Sequence, residues 1–266
     1  MKPQAHKILT EIAIERCREK LSADFRSHCE EIVKGSIAED EWKTERFRNW
    51  HFYRANDAIP HTLKKWYGTV KTTSLPILRT RINDLDTCRR SGDKKGYFNN
   101  LGRIIHHVQD MNTPSHVIPV YHGPFRKDYF ETFMLAVMDA GRLDAPVVFH
   151  PDLPDFEATY DKAARDTLAY IRGTSLRAEN CDGQSVWLPL GMFWQAYADG
   201  NGALKGFGTF GDLYRWFKHP KTYQKKCHGG YRAIVRELEK VNDAVCSGAI
   251  QKTCDVLMYA DGCYRQ

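Results

Sequence analysis

No apolar run in this chain approaches the length of a membrane span, so no helix is expected to cross a bilayer. Cysteines are never spaced C-x-x-C, which excludes the common thiolate zinc knuckle and the thioredoxin-type redox motif. Neither a G-x-S-x-G elbow nor a Walker-type glycine-rich loop occurs, which excludes an activated serine on such a turn and a phosphate cradle of that kind. Alternating strand patterns of useful length are missing, as are repeats and low-complexity linkers. The opening MKPQAHKILTEIAIERC has no apolar stretch followed by a small-residue cleavage site. Either the chain stays in the cytosol, or a leader has been removed ahead of it.

What is present points to an all-α protein, a single domain over 1–266 built as a multi-helix bundle. With 42% hydrophobic and 27% charged residues the chain reads as globular. A net charge of +6 suits phosphate-bearing partners but is too mild to name nucleic acid or membrane. Eight cysteines, four of them after residue 226, tilt the expectation toward disulfides that pin a C-terminal segment, and so toward a secreted or periplasmic protein. Apolar residues recur at three- and four-residue steps near His6, over Phe25 to Val33, over Leu75 to Cys88, over Tyr129 to Met138 and over Ala158 to Ile171. Further helices are expected around Met192 to Ala198, Phe210 to Phe217 and Tyr231 to Val245, with RAENCDGQS as a polar loop. In GDKKGYFNNLGRIIHHVQDM a turn precedes a helix whose Leu101, Ile104, Ile105 and Val108 point inward.

The informative segment is HHVQDMNTPSH, residues 106–116. His106 and Asp110 are four apart and share one helix face. Pro114 is expected to end that helix and let His116 fold back into the same space. A carboxylate between imidazoles can bridge two divalent ions about 3.5–4 Å apart, an arrangement used in phosphoester displacement. An isolated H-x-x-x-D would more simply be a hydrogen-bonded helix end. The continuation through Pro114 to His116 tips the reading toward metal, and imidazole plus carboxylate favours zinc.

The segment resembles the motif H-Y-x-[GT]-D-x-x-x-P-x-H-x-x-N of the zinc-dependent phospholipase C family, related to the single-strand-specific zinc nucleases. His106, Asp110, Pro114 and His116 match, whereas His107, Gln109 and Pro119 depart from it. Other landmarks follow in the family's order: His6 in AHKILTEIA, Asp40 in GSIAEDEW, His51 in NWHFY and Glu131 in YFETF. The resemblance spans roughly residues 6 to 135. It implies a helical bundle holding up to three zinc ions in a cleft. Asp40, His51, His106 and Asp110 would hold one, and His6 and Asp110 another, helped by a mature N-terminal amine and carbonyl. His116 and Glu131 would hold the remaining one. Where the family has a histidine four residues before the glutamate, this chain has Lys127; His122 is expected to supply that nitrogen, with Asp128 as its rival.

By that resemblance the activity is hydrolysis of a phosphodiester by a metal-bound hydroxide, with Asp40 orienting the water, on a phospholipid substrate, by a monomer that contacts the membrane surface peripherally. Trp50, Phe52, Tyr53, Tyr121, Tyr129 and Phe130 would hold a quaternary ammonium group, stack a nucleobase or belong to the core. Two other readings stand beside it. One is a nuclease or 3′-nucleotidase of the related branch, with nucleic acid as partner. The other is a non-catalytic helical protein with a structural metal.

Overall fold

The structure is a computed structural model describing residues 1–40, 51–53, 73–118, 120, 127–139, 143, 146–198 and 204–265. Its N-terminal half is helical. Helix α1 (Pro3–Cys17) begins on a proline, whose missing N–H is unneeded there, and buries Ala5, Leu9, Ala13 and Cys17 at four-residue spacing. Helix α2 (Ala23–Ser27) is capped by Ser22 and separated at His28 from α3 (Cys29–Ala38). Helix α4 (Ser74–Ser91) stops at Gly92, which takes φ +74°, a left-handed conformation that costs glycine little. The Asp93 carboxylate then accepts from Gly96 N at 2.9 Å and starts α5 (Lys94–Asp110).

Helix α5 is the axis of the fold, packed on α1, α3, α4, α8 (Phe156–Gly173) and α10 (Val235–Tyr264). Leu101, Ile104, Ile105 and Val108 are fully buried, as the periodicity requires. Its contact with α3 is a backbone approach between two glycines. A Cβ at Gly102 would lie 2.1 Å from the Ile32 carbonyl oxygen, and one at Gly35 would lie 2.0 Å from that of Asn99. This closeness brings the C-terminal end of α3, with Ser36, Glu39 and Asp40, against the face of α5 that carries His106.

Pro114 does not end α5. The helix stops at Asp110, and Pro114 instead opens a separate single turn, α6 (Pro114–Val117), from its first position. Helix α7 (Tyr129–Asp139) follows, with the Asp128 carboxylate accepting from Glu131 N at 3.2 Å.

The protein is mostly helical, but the C-terminal half also carries small sheets that the helical periodicity does not predict. Strands β1 (Ser175–Asn180) and β2 (Ser185–Pro189) form a hairpin, and β3 (Trp194–Ala198) pairs antiparallel with β4 (Leu204–Phe210). After α9 (Pro220–Lys225), β5 (Tyr231–Arg232) adds to give the order β2-β1-β5. RAENCDGQS is therefore the end of β1, its turn and the start of β2, with Gly183 at φ +82° and Asn180 Oδ1 accepting from Asp182 N and Gln184 N. The stretch expected as helix from Met192 to Ala198 is mostly β3, because its aromatic spacing suits either period. Asp212–Phe217 is a 3₁₀ turn, and the last helix starts at Val235 rather than Tyr231.

Of the late cysteines, Cys227 is paired, with Cys181, tying the β1–β2 turn to the chain after α9. Cys246, Cys254 and Cys263 lie on α10 as thiols, so the C-terminal helix is held by packing. Cys246 and Cys254 are buried in the core.

Candidate metal centre

Asp110 is the last residue of α5 and fully buried. Around its Oδ2 lie His51 Nδ1 at 2.9 Å, His106 Nε2 at 3.3 Å and His116 Nδ1 at 3.7 Å. Around its Oδ1 lie the amine of Met1 at 2.9 Å and His6 Nε2 at 3.3 Å. The two oxygens thus face two different groups of nitrogens. The same amine is 3.0 Å from His116 Nε2 and 3.2 Å from Glu131 Oε1, and Glu131 Oε1 is 3.4 Å from His116 Nε2.

Segments far apart in sequence supply these groups: residue 1 precedes α1, α1 gives His6, α6 gives His116 and α7 gives Glu131. Asp40 sits just past α3, where one of its carboxylate oxygens lies within 4.8 Å of ligand nitrogens of His51 and His106. His6, His106 and Asp110 form a second trio by the same measure. Of the eight residues expected as ligands, seven converge here. His122 lies outside the described residues, as do Trp50 and Tyr121 among the aromatics. Of its rival Asp128, Oδ1 accepts from Glu131 N and from the Tyr214 hydroxyl, while the buried Oδ2 makes no hydrogen bond.

Three imidazoles have their tautomers dictated by what Nδ1 faces. His106 Nδ1 donates to the Ser36 carbonyl at 2.8 Å, and His116 Nδ1 donates to the His51 carbonyl at 2.5 Å. A carbonyl can only accept, so both rings direct Nε2 inward. His6 Nδ1 meets Gln109 Oε1 at 2.7 Å. The amide's orientation follows from its other contacts: Thr253 spends its hydroxyl proton on the Ala249 carbonyl, so it accepts from Gln109 Nε2 at 3.1 Å. Thr10 sits 3.0 Å from the same nitrogen. His6 therefore also turns Nε2 inward. Gln109 is a departure from the family motif, and its role was invisible without its partners on α1 and α10.

Four buried atoms of the cluster make no hydrogen bond: His6 Nε2, His51 Nε2, Asp110 Oδ2 and Asp40 Oδ2. Leaving such groups unmet costs free energy, and a divalent cation would meet them. The residues fit a metal on that ground. Burial favours neutral imidazoles, yet neighbours decide the outcome. His6, buried beside His106, falls to about 4. His106 rises to about 9, because Asp110 and Asp40 outweigh its burial. Burial alone would raise Asp110, but His116, the residue-1 amine and His106 hold it well below the usual carboxylate range.

Two further buried groups, Glu39 and His107, lie beside the cluster. Glu39 is fully buried beside Asp40 and accepts from Arg81 Nε at 2.6 Å and Arg103 Nη1 at 3.1 Å. With the two arginines it makes an internal ion cluster. His107 points its Nδ1 at Ser74 Oγ, 2.9 Å away. Among the aromatics, Phe52, Tyr53 and Phe130 are core residues, and Lys218 lies over the ring of half-buried Tyr129 at 5.1 Å. A groove of about 410 Å³ lined by Leu85, Arg89, Phe156 and Tyr259 is not part of this centre.

Comparison with protein families, with characterised proteins and with solved structures found no match to this chain.

Proposed function

We propose that this cluster is a zinc centre that hydrolyses a phosphodiester, with a phospholipid as its substrate. The observation that carries the reading is the inward turning of Nε2 on His6, His106 and His116, each with its Nδ1 held by an oxygen, around a buried carboxylate with an unmet Oδ2. Outer oxygens that lock imidazole tautomers are the usual support of metal-ligating histidines. A shell of imidazole and carboxylate favours zinc over magnesium and calcium, which prefer oxygen. Asp40, His51, His106 and Asp110 would hold one ion, His6 and Asp110 a second, and His116 and Glu131 a third.

Zinc, when bound, supplies a water acidified to near neutrality and a positive field for phosphoryl oxygens. The chain's residues do the remaining work. Asp110 divides its two oxygens between neighbouring groups of nitrogens and sets their spacing. Asp40, whose Oδ2 makes no hydrogen bond, would orient a water and accept its proton. Ser36, His51 and Gln109 hold the rings against rotation, which keeps the site organised before substrate arrives.

The test is metal analysis with a substrate panel. Zinc-loaded protein should release phosphocholine from phosphatidylcholine, lose that activity on chelation and regain it with zinc. Asp110→Asn keeps size but weakens the shared ligand, so turnover should fall by at least about a hundredfold. Wild-type activity in that variant would sink the proposal. Cleavage of single-stranded DNA or a 3′-nucleotide in place of phosphatidylcholine would move the substrate to the nuclease branch, and one tightly held zinc without turnover would mark a structural metal.

A further inference from the structure

The positive excess of the whole chain is confined to one short segment. Of 39 Lys and Arg against 33 Asp and Glu, residues 213–236 hold seven basic residues and no acidic one, which leaves the rest of the chain at 32 against 33. Six of the seven are exposed: Arg215, Lys218, Lys221, Lys225, Lys226 and Arg236. Elsewhere several surface cations find acids one helical turn away, as Lys34 finds Glu30, Lys162 finds Asp166 and Arg165 finds Asp161. Among the described residues none of those six forms an ion pair. The segment is therefore an uncompensated field on an otherwise balanced molecule.

Its attachment gives the field a place. The 3₁₀ turn Asp212–Phe217 buries Leu213, Tyr214, Trp216 and Phe217 and leaves Arg215 outside. The Tyr214 hydroxyl bonds Asp128 and accepts from Phe130 N at 3.0 Å, so the start of the basic segment is fastened to the first turn of α7, which carries Glu131. Farther along, the Cys181–Cys227 bond ties it to the β1–β2 hairpin. The outer face of that hairpin shows Trp187, 67% exposed, directly opposite Arg177, while Glu179 pairs in register with Arg232 of the basic segment.

We propose that residues 213–236 and Trp187 form a docking surface for an anionic lipid bilayer, which would hold the metal centre near its substrate. This rests on the phospholipid reading of the centre. An unpaired basic field attracts acidic headgroups, and an exposed indole belongs at the depth of the headgroups. A nucleic-acid strand fits less well, because it needs successive exposed rings on which bases stack, and Trp187 stands without another exposed aromatic on its sheet among the described residues.

The test is co-sedimentation of the full chain with vesicles of phosphatidylcholine alone and of phosphatidylcholine with about one third phosphatidylglycerol. Each is run with zinc and with chelator, at low and high salt. The protein should sediment with the anionic vesicles at low salt in both metal states, and be released at high salt. The triple variant Lys221→Gln/Lys225→Gln/Lys226→Gln should partition about a hundredfold more weakly, and Trp187→Ala should weaken binding further. The triple variant should hydrolyse a water-soluble phosphodiester as wild type does, so a failed zinc reading and a failed docking reading are told apart. Equal partitioning of wild type and triple variant would overturn the proposal. So would absence of sedimentation with anionic vesicles, or tighter binding to an oligothymidine than to vesicles.

Discussion

At the scale of single residues, the centre depends on side chains that never touch its interior. Gln109 is the clearest case. Its amide is oriented by Thr10 and Thr253 from two other helices, and its oxygen faces His6 Nδ1. Gln109→Leu removes that acceptor and frees the His6 ring to rotate or change tautomer. Metal affinity, measured by competition with a chromophoric chelator, is expected to fall about 10–100-fold. Gln109→Glu retains an oxygen for His6 and should fall less. Unchanged affinity in Gln109→Leu would show that His6 is not held through this contact. Glu39 belongs to the same class: with Arg81 and Arg103 it makes a buried ion cluster where α3 ends, one residue before Asp40.

At the scale of elements, the crossing of α3 and α5 decides whether Asp40 and His106 meet. The glycines let the backbones close to a distance at which the Ser36 carbonyl reaches His106 Nδ1. Gly102→Ala puts a methyl group against backbone atoms of Ile32 and Gly35, which cannot rotate away. Overpacking of this kind costs about 1–3 kcal/mol. The melting temperature of the metal-free protein should drop, and metal affinity should drop with it as α3 is pushed off. Gly191→Ala is the control, since a Cβ there meets nothing within 4 Å. A drop of equal size in both variants would mean that the effect is not specific to the crossing.

At the scale of the molecule, the first 140 residues supply the cluster, while the C-terminal half braces it. Thr253 on α10 orients Gln109, and Tyr214 holds Asp128 at the head of α7. The Cys181–Cys227 bond spans a sequence separation of 46, and by chain entropy closing such a loop contributes about 4 kcal/mol. The bond lies in the sheet and not in the helical core. Cys181→Ser/Cys227→Ser should therefore lower thermal stability while metal affinity stays near wild type. Calorimetry on metal-loaded and metal-free samples checks this, and a parallel loss of metal affinity would show that the hairpin and the centre unfold as one unit.

Local periodicity was enough to read α1, α4, α5, α7 and α8, because a helix that buries one face writes that face into its spacing. The pair His106 and Asp110 was legible for the same reason, since residues four apart on a helix must be neighbours. The hairpin β1–β2 was not read, although Asp182-Gly183 is a turn signal. Each strand offers too few inward apolar residues to display a period of two against a helical background. Nor could spacing show that α5 would stop at Asp110 by itself and leave Pro114 to begin another turn. The sequence by itself determined those helices and nominated candidate ligands. Only the tertiary structure decided that residue 1, His6, Asp40, His51, His116 and Glu131 surround Asp110, and which oxygen holds Nδ1 of His6, His106 and His116. Those outcomes depend on contacts between residues tens to hundreds of positions apart, and such contacts leave no local pattern to read.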